Sequence, residues 1–596
     1  MDTARITGLL AVAAKDRDLL KAQTAKARIL LAEKYSQHHV TLQCNSWCHL
    51  WLIREKGLAY AAMPDNLSYL QGIHFYHDKP PYPRSGHYLQ IALDQSFLLV
   101  RNDPVGLINL YCLKEKETTF FGTSSMDLAC LARDFQLDEQ GMLEFLTVGY
   151  PLLEHTFYHN ISLFPAGCEW NLRRETLPDG IQKQYALRDE TPEQDQVLGS
   201  KTLGRELRRA ARDLATMGHP CCDLTGGFDS RGLLCGFLRA KTKFSTVVNG
   251  PPAGHDVLLA RRIADRFDLD HHWNNTREMA LPRTMDDVLH VLYLTDGEIE
   301  FSEYYTTSLI QKKTAKKGWI TVNGSGGELF RGYWWEGERF VASRERAVHI
   351  PYLLKRLLLP GQNLDIFAGG KEQIHNMLAS RIEQVLDEQG SNLPVGRRID
   401  HLYLRLRMER WLARYYSATN KILPCCSPFL AAPVLSVALS LKTELKQGNR
   451  FFKDWLMREN RELATFPTDS GAPALPLLPS TVWSYRRYPL QLAKKAGYRL
   501  YGKFGGGRQI STAASLRDCF CQQVSDGTDI LEFLAPGNMV SSVLFGESMV
   551  SLQKQNQSVL RQNTVFPPQL ARIVTLELTL RQVQACRRKI RQSIDE

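Results

Sequence analysis

The sequence predicts an α/β chain with an α+β part, divided between at least two domains. Three observations carry this reading. To about residue 185 the chain runs in short apolar segments broken by Gly, Pro and Asp, the pattern of strands and turns. A polar stretch, Arg188–Gln196 (RDETPEQDQ), then reads as a linker. Beyond it strands and helices alternate, and from about residue 370 helices dominate. A chain of 596 residues is long enough for each part to bury its own core. The domains are then 1–187, 197–475 and a basic, mainly helical extension over 476–596.

Element by element, His87–Leu93, Ser96–Val100 and Thr119–Gly122 read as strands of the first domain. After the linker, Gly199–Met217 has helical periodicity, and Pro220–Leu224 is a short run entering a Gly-rich turn. Gly232–Ala240 is again helical, Phe244–Asn249 is a strand and Asp256–Phe267 a helix. Such alternation predicts a parallel sheet with helices on both faces. Farther on, Ile399–Ala418 and Ala571–Ile590 carry helical patterns. No internal repeat of solenoid or propeller length is present.

Composition excludes several classes. Hydrophobic residues at 44% and charged residues at 23% are ordinary globular values, neither disordered nor fibrous. No segment approaches the roughly 18–20 uninterrupted apolar residues of a membrane span. The N-terminal apolar run is soon succeeded by Lys15, Asp16, Arg17 and Asp18, unlike a signal peptide, so a cytoplasmic protein is expected. The 13 cysteines include the adjacent pairs Cys221–Cys222 and Cys425–Cys426, but no CxxC and no zinc-finger spacing. They read as buried, reduced thiols. Net charge is +11, with a local excess between Ser484 and Arg508, where Arg486, Arg487, Lys494, Lys495, Arg499, Lys503 and Arg508 meet no acid. That stretch suits a solvated helix face, or contact with phosphate, an acidic substrate or an anionic membrane.

The chemistry concentrates at Asp223–Arg231 (DLTGGFDSR), between a strand and a helix. Gly226 and Gly227 allow a sharp turn and close approach to a ligand. The amides of the loop and of the next helix's first turn then converge, a geometry that binds phosphate with help from the helix dipole. Thr225 and Ser230 add hydroxyl donors. Asp229 alone would repel phosphate, so it implies a magnesium ion between them. The loop is neither a GxxxxGK[ST] P-loop nor a GxGxxG turn.

This loop resembles the S-G-G-x-D-S loop of the ATP pyrophosphatases (PP-loop), with Thr225 in place of Ser. The segments after the loop resemble asparagine synthetase and its relatives in particular. Ser245–Gly250 (STVVNG) and Asp256–Ala264 (DVLLARRIA) are similar to that family's second strand and helix. Asn323–Tyr333 (NGSGGELFRGY) resembles its S-G-E-G-A-D-E-L-F-G-G-Y segment, matching at Glu328, Leu329, Phe330, Gly332 and Tyr333. Pro424–Leu430 (PCCSPFL) and Lys446–Arg458 look like the later E-x-R-x-P-F-L-D and K-x-x-L-R stretches. The resemblance implies a PP-loop, adenine nucleotide α-hydrolase-like parallel-sheet domain that binds ATP through Thr225, Gly226, Gly227, Phe228, Asp229, Ser230, Val248 and Gly324. It implies Mg2+ on Asp229 and Glu328, and places the acidic stretch Asp296, Glu298, Glu300 and Glu303 in a region where relatives put substrate-facing residues. One departure stands out: where relatives carry a lysine in an R-x-K segment, this chain has Ala464–Gly471 (ATFPTDSG). Either another lysine, Lys453 or Lys421, serves in its place, or the activity is weak or different.

The first domain resembles the glutaminase half of the same enzymes, an Ntn-hydrolase-like sandwich, through Arg101–Tyr111 (RNDPVGLINLY), Phe121–Met126 (FGTSSM) and Phe157–Gly167 (FYHNISLFPAG). Glutamine hydrolysis needs an N-terminal cysteine whose α-amine assists its thiol. Position 2 is Asp2 and the first cysteine is Cys44, so a domain without glutaminase activity is expected. The resemblance then implies adenylation of a carboxylate (a small molecule, sugar acid or peptide), with subsequent attack of ammonia or a substrate amine. Catalytic roles fall to Asp229, Glu328 and Lys453. Nucleic acid is not an expected partner, and a homodimer is compatible with the reading. The missing lysine and cysteine support an alternative, a non-catalytic nucleotide-binding or scaffold relative.

Overall fold

The structure, a computed structural model, describes residues 4–59, 68–74, 86–184, 195–279, 284–336, 348–359, 362–389, 393–468, 471–485, 538–544 and 568–596. The basic residues from Arg486 to Arg508 and most of the expected linker lie outside them.

The first domain contains two antiparallel sheets. One has six strands in the order β2 (His39–Cys44), β3 (Cys48–Ala59), β1 (Ala4–Ala14), β8 (Thr118–Gly122), β7 (Tyr111–Glu115), β9 (Ile161–Leu163). The other has five, in the order β11 (Ile181–Gln184), β10 (Cys168–Leu172), β6 (Leu98–Asn102), β5 (Gly86–Leu93), β4 (Ser68–His74). The period of two along β1 explains the layering. Leu9, Ala11 and Ala13 join Leu89, Ile91, Val100 and Trp170 between the sheets. Leu10, Val12 and Ala14 face a second core, shared with helices α1 (Arg17–Lys34), α2 (Ser125–Leu131) and α3 (Glu139–Val148). The sequence reading, strands and turns throughout, missed these helices. Helix α1 is capped by Asp16, whose carboxylate accepts from the amides of Asp18 and Leu19 at 2.8 and 3.0 Å. Its buried stripe mixes Leu20, Leu30 and Leu31 with Gln23, Thr24 and Ala27, so its apolar period is faint.

The second domain is built on a five-stranded parallel sheet, order β14 (Asp270–Asn275), β13 (Ser245–Gly250), β12 (His219–Asp223), β15 (Trp319–Val322), β16 (Cys425–Cys426). Helices α4 (Gln196–Met217), α5 (Phe228–Ala240), α6 (His255–Arg266), α7 (Met285–Thr295) and α8 (Phe301–Ala315) pack around it. The expected strand–helix alternation is present with small boundary shifts. From β12 the chain first adds strands on one side, then crosses to place β15 on the other. The carboxyl ends of β12 and β15 therefore flank the switch point, where open α/β sheets bind ligands.

One long helix, residues 395–422, divides the two domains. It is α-helical over Val395–Tyr403 and Ala413–Ile422 and π-helical over Leu404–Leu412. Its Arg414 donates to Tyr111 Oη and to Asp296 Oδ2, both at 2.8 Å, and Tyr111 donates to Glu298 at 2.9 Å. Burial raises the Asp296 carboxyl, but Lys421 and Arg414 more than offset this and hold it below the usual range. Asp296 and Glu298 thus bind the domain interface together instead of facing the switch-point crevice. The C-terminal helix, Pro568–Asp595, packs on α1, α2 and α3 as well as α7 and α8. Its Arg587 donates to the carbonyls of Ala129 and Ala132 at 2.7 and 2.6 Å, so this helix packs on elements of both domains.

Candidate functional site

Two glycine-containing turns meet at the switch point. After β12, the loop of Thr225–Gly227 leads into α5, whose N-cap is Gly227 with no side-chain cap. After β15, Asn323–Gly327 turns directly over Asp229. A Cβ on Gly324 would lie 2.9 Å from the Asp229 carbonyl carbon, and one on Gly327 would lie 2.7 Å from Asp229 Oδ1. Glycine is needed there for contact, because a methyl group would force the turns apart.

Phenylalanines hold the pieces together from below. Phe330 stacks on Phe451 at 5.5 Å and meets Phe429 and Phe452, each at 6.1 Å. Phe228 meets Phe452 at 6.0 Å. These residues come from the loop, the Asn323–Tyr333 segment, the Pro424–Leu430 segment and the helix Arg450–Glu459, so one aromatic cluster joins the motifs read from the sequence. Behind the loop, fully buried Arg231 donates to the carbonyls of Gly226 at 3.1 Å, Phe466 at 2.8 Å and Pro467. The segment lacking the expected lysine is thereby packed against the loop.

The loop satisfies much of its own backbone. Thr225 N–H donates to Ser230 Oγ at 3.1 Å, Gly226 N–H to Asp256 Oδ1 at 2.9 Å and Gly227 N–H to Thr225 Oγ1 at 3.2 Å. The hydroxyls of Thr225 and Ser230 also bond each other at 3.0 Å. This corrects the expectation that all of these groups face a ligand. The start of α5, where Gly227 supplies no side-chain cap, adds the positive end of the helix dipole.

A cavity of about 450 Å³ opens at this point. Of the residues expected from the sequence, it brings together Thr225, Asp229, Ser230, Gly324 and Glu328. Gly226, Gly227, Phe228 and Val248 are not in its wall, and Val248 is core, 1% exposed. Lys453 does not line it either; nor does Lys446, which pairs with buried Asp400 at 2.6 Å. Lys421 instead donates to the carbonyls of Tyr293 and Leu294, both at 3.1 Å. Among the described residues the cations in the wall are Arg331 and Arg407. Asp223, at the carboxyl end of β12, lines the cavity with its carboxyl pushed up to about 7 by burial.

The two acids expected to hold magnesium are otherwise engaged. Asp229 Oδ2 accepts from Arg331 Nη2 at 2.6 Å. Glu328 accepts from Gly326 N–H at 2.8 Å and from Tyr403 Oη at 2.9 Å. No group of three His, Cys, Asp or Glu residues is placed to hold a metal among the described residues. As folded, the pair does not fit a resident Mg2+: an ion reaching Asp229 Oδ2 would have to displace a guanidinium. Arg331 stands where the resembled segment has Gly, so this signal was visible in the sequence. The cavity-facing Tyr403, Arg407 and Trp411 were not singled out, although their spacing of four on a predicted helix puts them on one side.

Residues 202–462 match the family model for asparagine synthase. The chain carries an asparagine synthase domain. The matched span contains the sheet, both turns and the whole cavity wall. No curated protein matches this chain. Among solved structures, glutamine phosphoribosylpyrophosphate (PRPP) amidotransferase from B. subtilis complexed with ADP and GMP is similar at 8% identity and TM-score 0.20, over 45% of this chain and 65% of that one. The allosteric regulatory enzyme of purine biosynthesis is similar at 9% identity and TM-score 0.18, over 40% and 64%. The chain spans under two thirds of the length of either. No helix among the described residues is long and apolar enough to cross a membrane.

Proposed function

We propose that the asparagine synthase domain adenylates a carboxylate at the β12–β15 crevice and passes the acyl group to an amine. A carboxylate oxygen attacks the α-phosphorus of ATP, and the bond to the β-phosphate oxygen breaks with release of pyrophosphate. An amine then attacks the acyl carbon, AMP departs, and the amine's proton passes to a base. The observation that carries this reading is the convergence of the Thr225–Ser230 loop, the Asn323–Gly327 turn and the uncapped start of α5 on one cavity. Arg331, at 2.6 Å from Asp229, supplies positive charge beside that helix start. Glu328, held by Tyr403, is positioned to take a proton from the attacking amine. No step here is routed through magnesium.

The first domain is proposed to lack glutaminase activity, because Cys44 lies within β2, where its nitrogen is a peptide amide and cannot serve as the free α-amine the reaction needs. Ammonia or an amine within the substrate then serves as nucleophile. A second reading, a nucleotide-binding scaffold without catalysis, is favoured by the internally bonded loop amides and by a cavity wall that holds no lysine among the described residues. Calorimetric titration of ATP, paired with pyrophosphate release across a panel of carboxylates, separates the two. Binding with no release from any acid supports the scaffold, and no binding removes both. Glutamate release from glutamine would overturn the assignment of the first domain.

A further inference from the structure

Five arginines lie on or beside the wall between the cavity and the first domain, and four have carboxylate partners. Arg331 binds Asp229 at 2.6 Å, Arg405 binds Glu154 at 3.1 Å, Arg410 approaches Glu298 at 3.6 Å and Arg414 binds Asp296 at 2.8 Å. Arg407 has no carboxylate partner among the described residues. Its guanidinium carbon lies 4.3 Å from the centre of the Trp411 ring, and the titratable groups around it are the phenols of Tyr150, Tyr403 and Tyr333.

The π-helix explains this division. Its i→i+5 bonding sets residues four and five apart on the same side. Tyr403, Arg407, Met408, Trp411 and Leu412 therefore all reach the cavity. Arg405, Arg410 and Arg414 point the other way, into the first domain. A π-helical segment is rare and sits disproportionately at functional sites. Here it sets a half-buried guanidinium, without a carboxylate counter-ion from the described chain, next to the Trp411 ring, with Met408 and Leu412 behind it in the cavity wall. Trp411 is itself fixed, since its Nε1 donates to Glu303 at 3.1 Å and its ring lies 4.8 Å from that of Tyr415.

We propose that Arg407 and Trp411 form the acyl-substrate subsite: Arg407 binds a carboxylate, and Trp411, Met408 and Leu412 pack an aromatic or extended apolar body attached to it. A guanidinium pairs with a carboxylate through two parallel hydrogen bonds, strongest where water is partly excluded. The apolar surface beside it sets the class: acids with an apolar body are accepted over small, doubly charged ones such as aspartate. The inference rests on the adenylation reading for the reacting group, but its test reads binding, which needs no turnover.

The experiment is calorimetry on the full chain with α,β-methylene-ATP, which cannot release pyrophosphate, and 3-phenylpropionate, acetate and aspartate as probes. The expected order is phenylpropionate well above acetate and aspartate. Arg407→Gln should weaken phenylpropionate about tenfold or more while changing analogue binding less than about twofold, and Arg407→Lys should recover part of the loss. Trp411→Leu should weaken phenylpropionate and leave acetate unchanged. Aspartate or acetate binding as tightly as phenylpropionate overturns the proposal, as does absence of binding by any acid. Loss of analogue binding in Arg407→Gln with the acid unaffected makes Arg407 a phosphate clamp and also overturns it. If phenylpropionate binds through Arg407 but ATP gives no pyrophosphate, the adenylation reading fails and the subsite stands.

Discussion

Replacing Arg331 with Gln tests the unusual charge arrangement at the loop. The Arg331 and Asp229 side chains are 23% and 20% exposed, and their 2.6 Å contact is charged on both sides. Burial disfavours the guanidinium charge, but Asp229, together with Glu328 and Glu336, more than offsets this and holds Arg331 above its ordinary pKa. A hydrogen bond to a charged group contributes about 1.5–3 kcal/mol net, toward the lower end where solvent screens part of the pair. For a bound nucleotide the variant faces a larger effect. Asp229 is left uncompensated near the phosphates, and two unit charges about 4 Å apart at an effective dielectric of about 20 repel by about 4 kcal/mol. Taking half of that for partial screening, ATP binding in EDTA should fall about 30-fold. Added Mg2+ should restore most of it, because the freed Asp229 becomes a ligand for the ion. Wild type should bind ATP with affinities within about threefold in EDTA and in Mg2+. Calorimetry in both buffers measures all four affinities. A wild type that binds ATP only with Mg2+, beside a variant unchanged in EDTA, would refute the argument that Arg331 occupies the cation's place.

The same geometry sets three further outcomes. Asp223 has its folded pKa raised to about 7 from 3.8, so its contribution is fully present below pH 3.8 and is lost as pH rises through 7. Asp223→Asn should therefore gain melting temperature over wild type between pH 5 and 8, and calorimetry of ATP should show weakening above pH 7 in wild type only. Gly327→Ala places a methyl group 2.7 Å from Asp229 Oδ1; thermal unfolding should show a loss of about 1–3 kcal/mol, with ATP binding weakened more than the fold. Arg414→Ala takes one cation from buried Asp296 and Glu298, which keep Lys421 and Arg410, and should cost about 1.5–3 kcal/mol in denaturant unfolding, with no preference for ligand-bound protein. A loss under about 1 kcal/mol would show that those acids find other partners.

What the sequence determined by itself was local. The strand–helix alternation after residue 199 predicts the parallel sheet, and the Gly-Gly turn after Pro220–Leu224 marks the crevice, because both signals reside in neighbouring residues. The segments around Phe228, Phe330 and Phe429 were also recognisable one by one, and their phenylalanines do meet. Tertiary structure decided the rest. Asp229 and Arg331 are about a hundred residues apart, as are Arg414 and Asp296, and no periodicity specifies which charge meets which. A carboxylate read as a metal ligand thus became half of an ion pair, and two acids of the stretch Asp296–Glu303, Asp296 and Glu298, became part of the seam between domains. Helix α1 escaped the strand pattern because its buried stripe is half polar and small, fitted to a sheet face that local sequence does not reveal. Which arginines of the π-helix meet carboxylates and which one is turned to the cavity is likewise a tertiary outcome, since their partners lie far off in the chain.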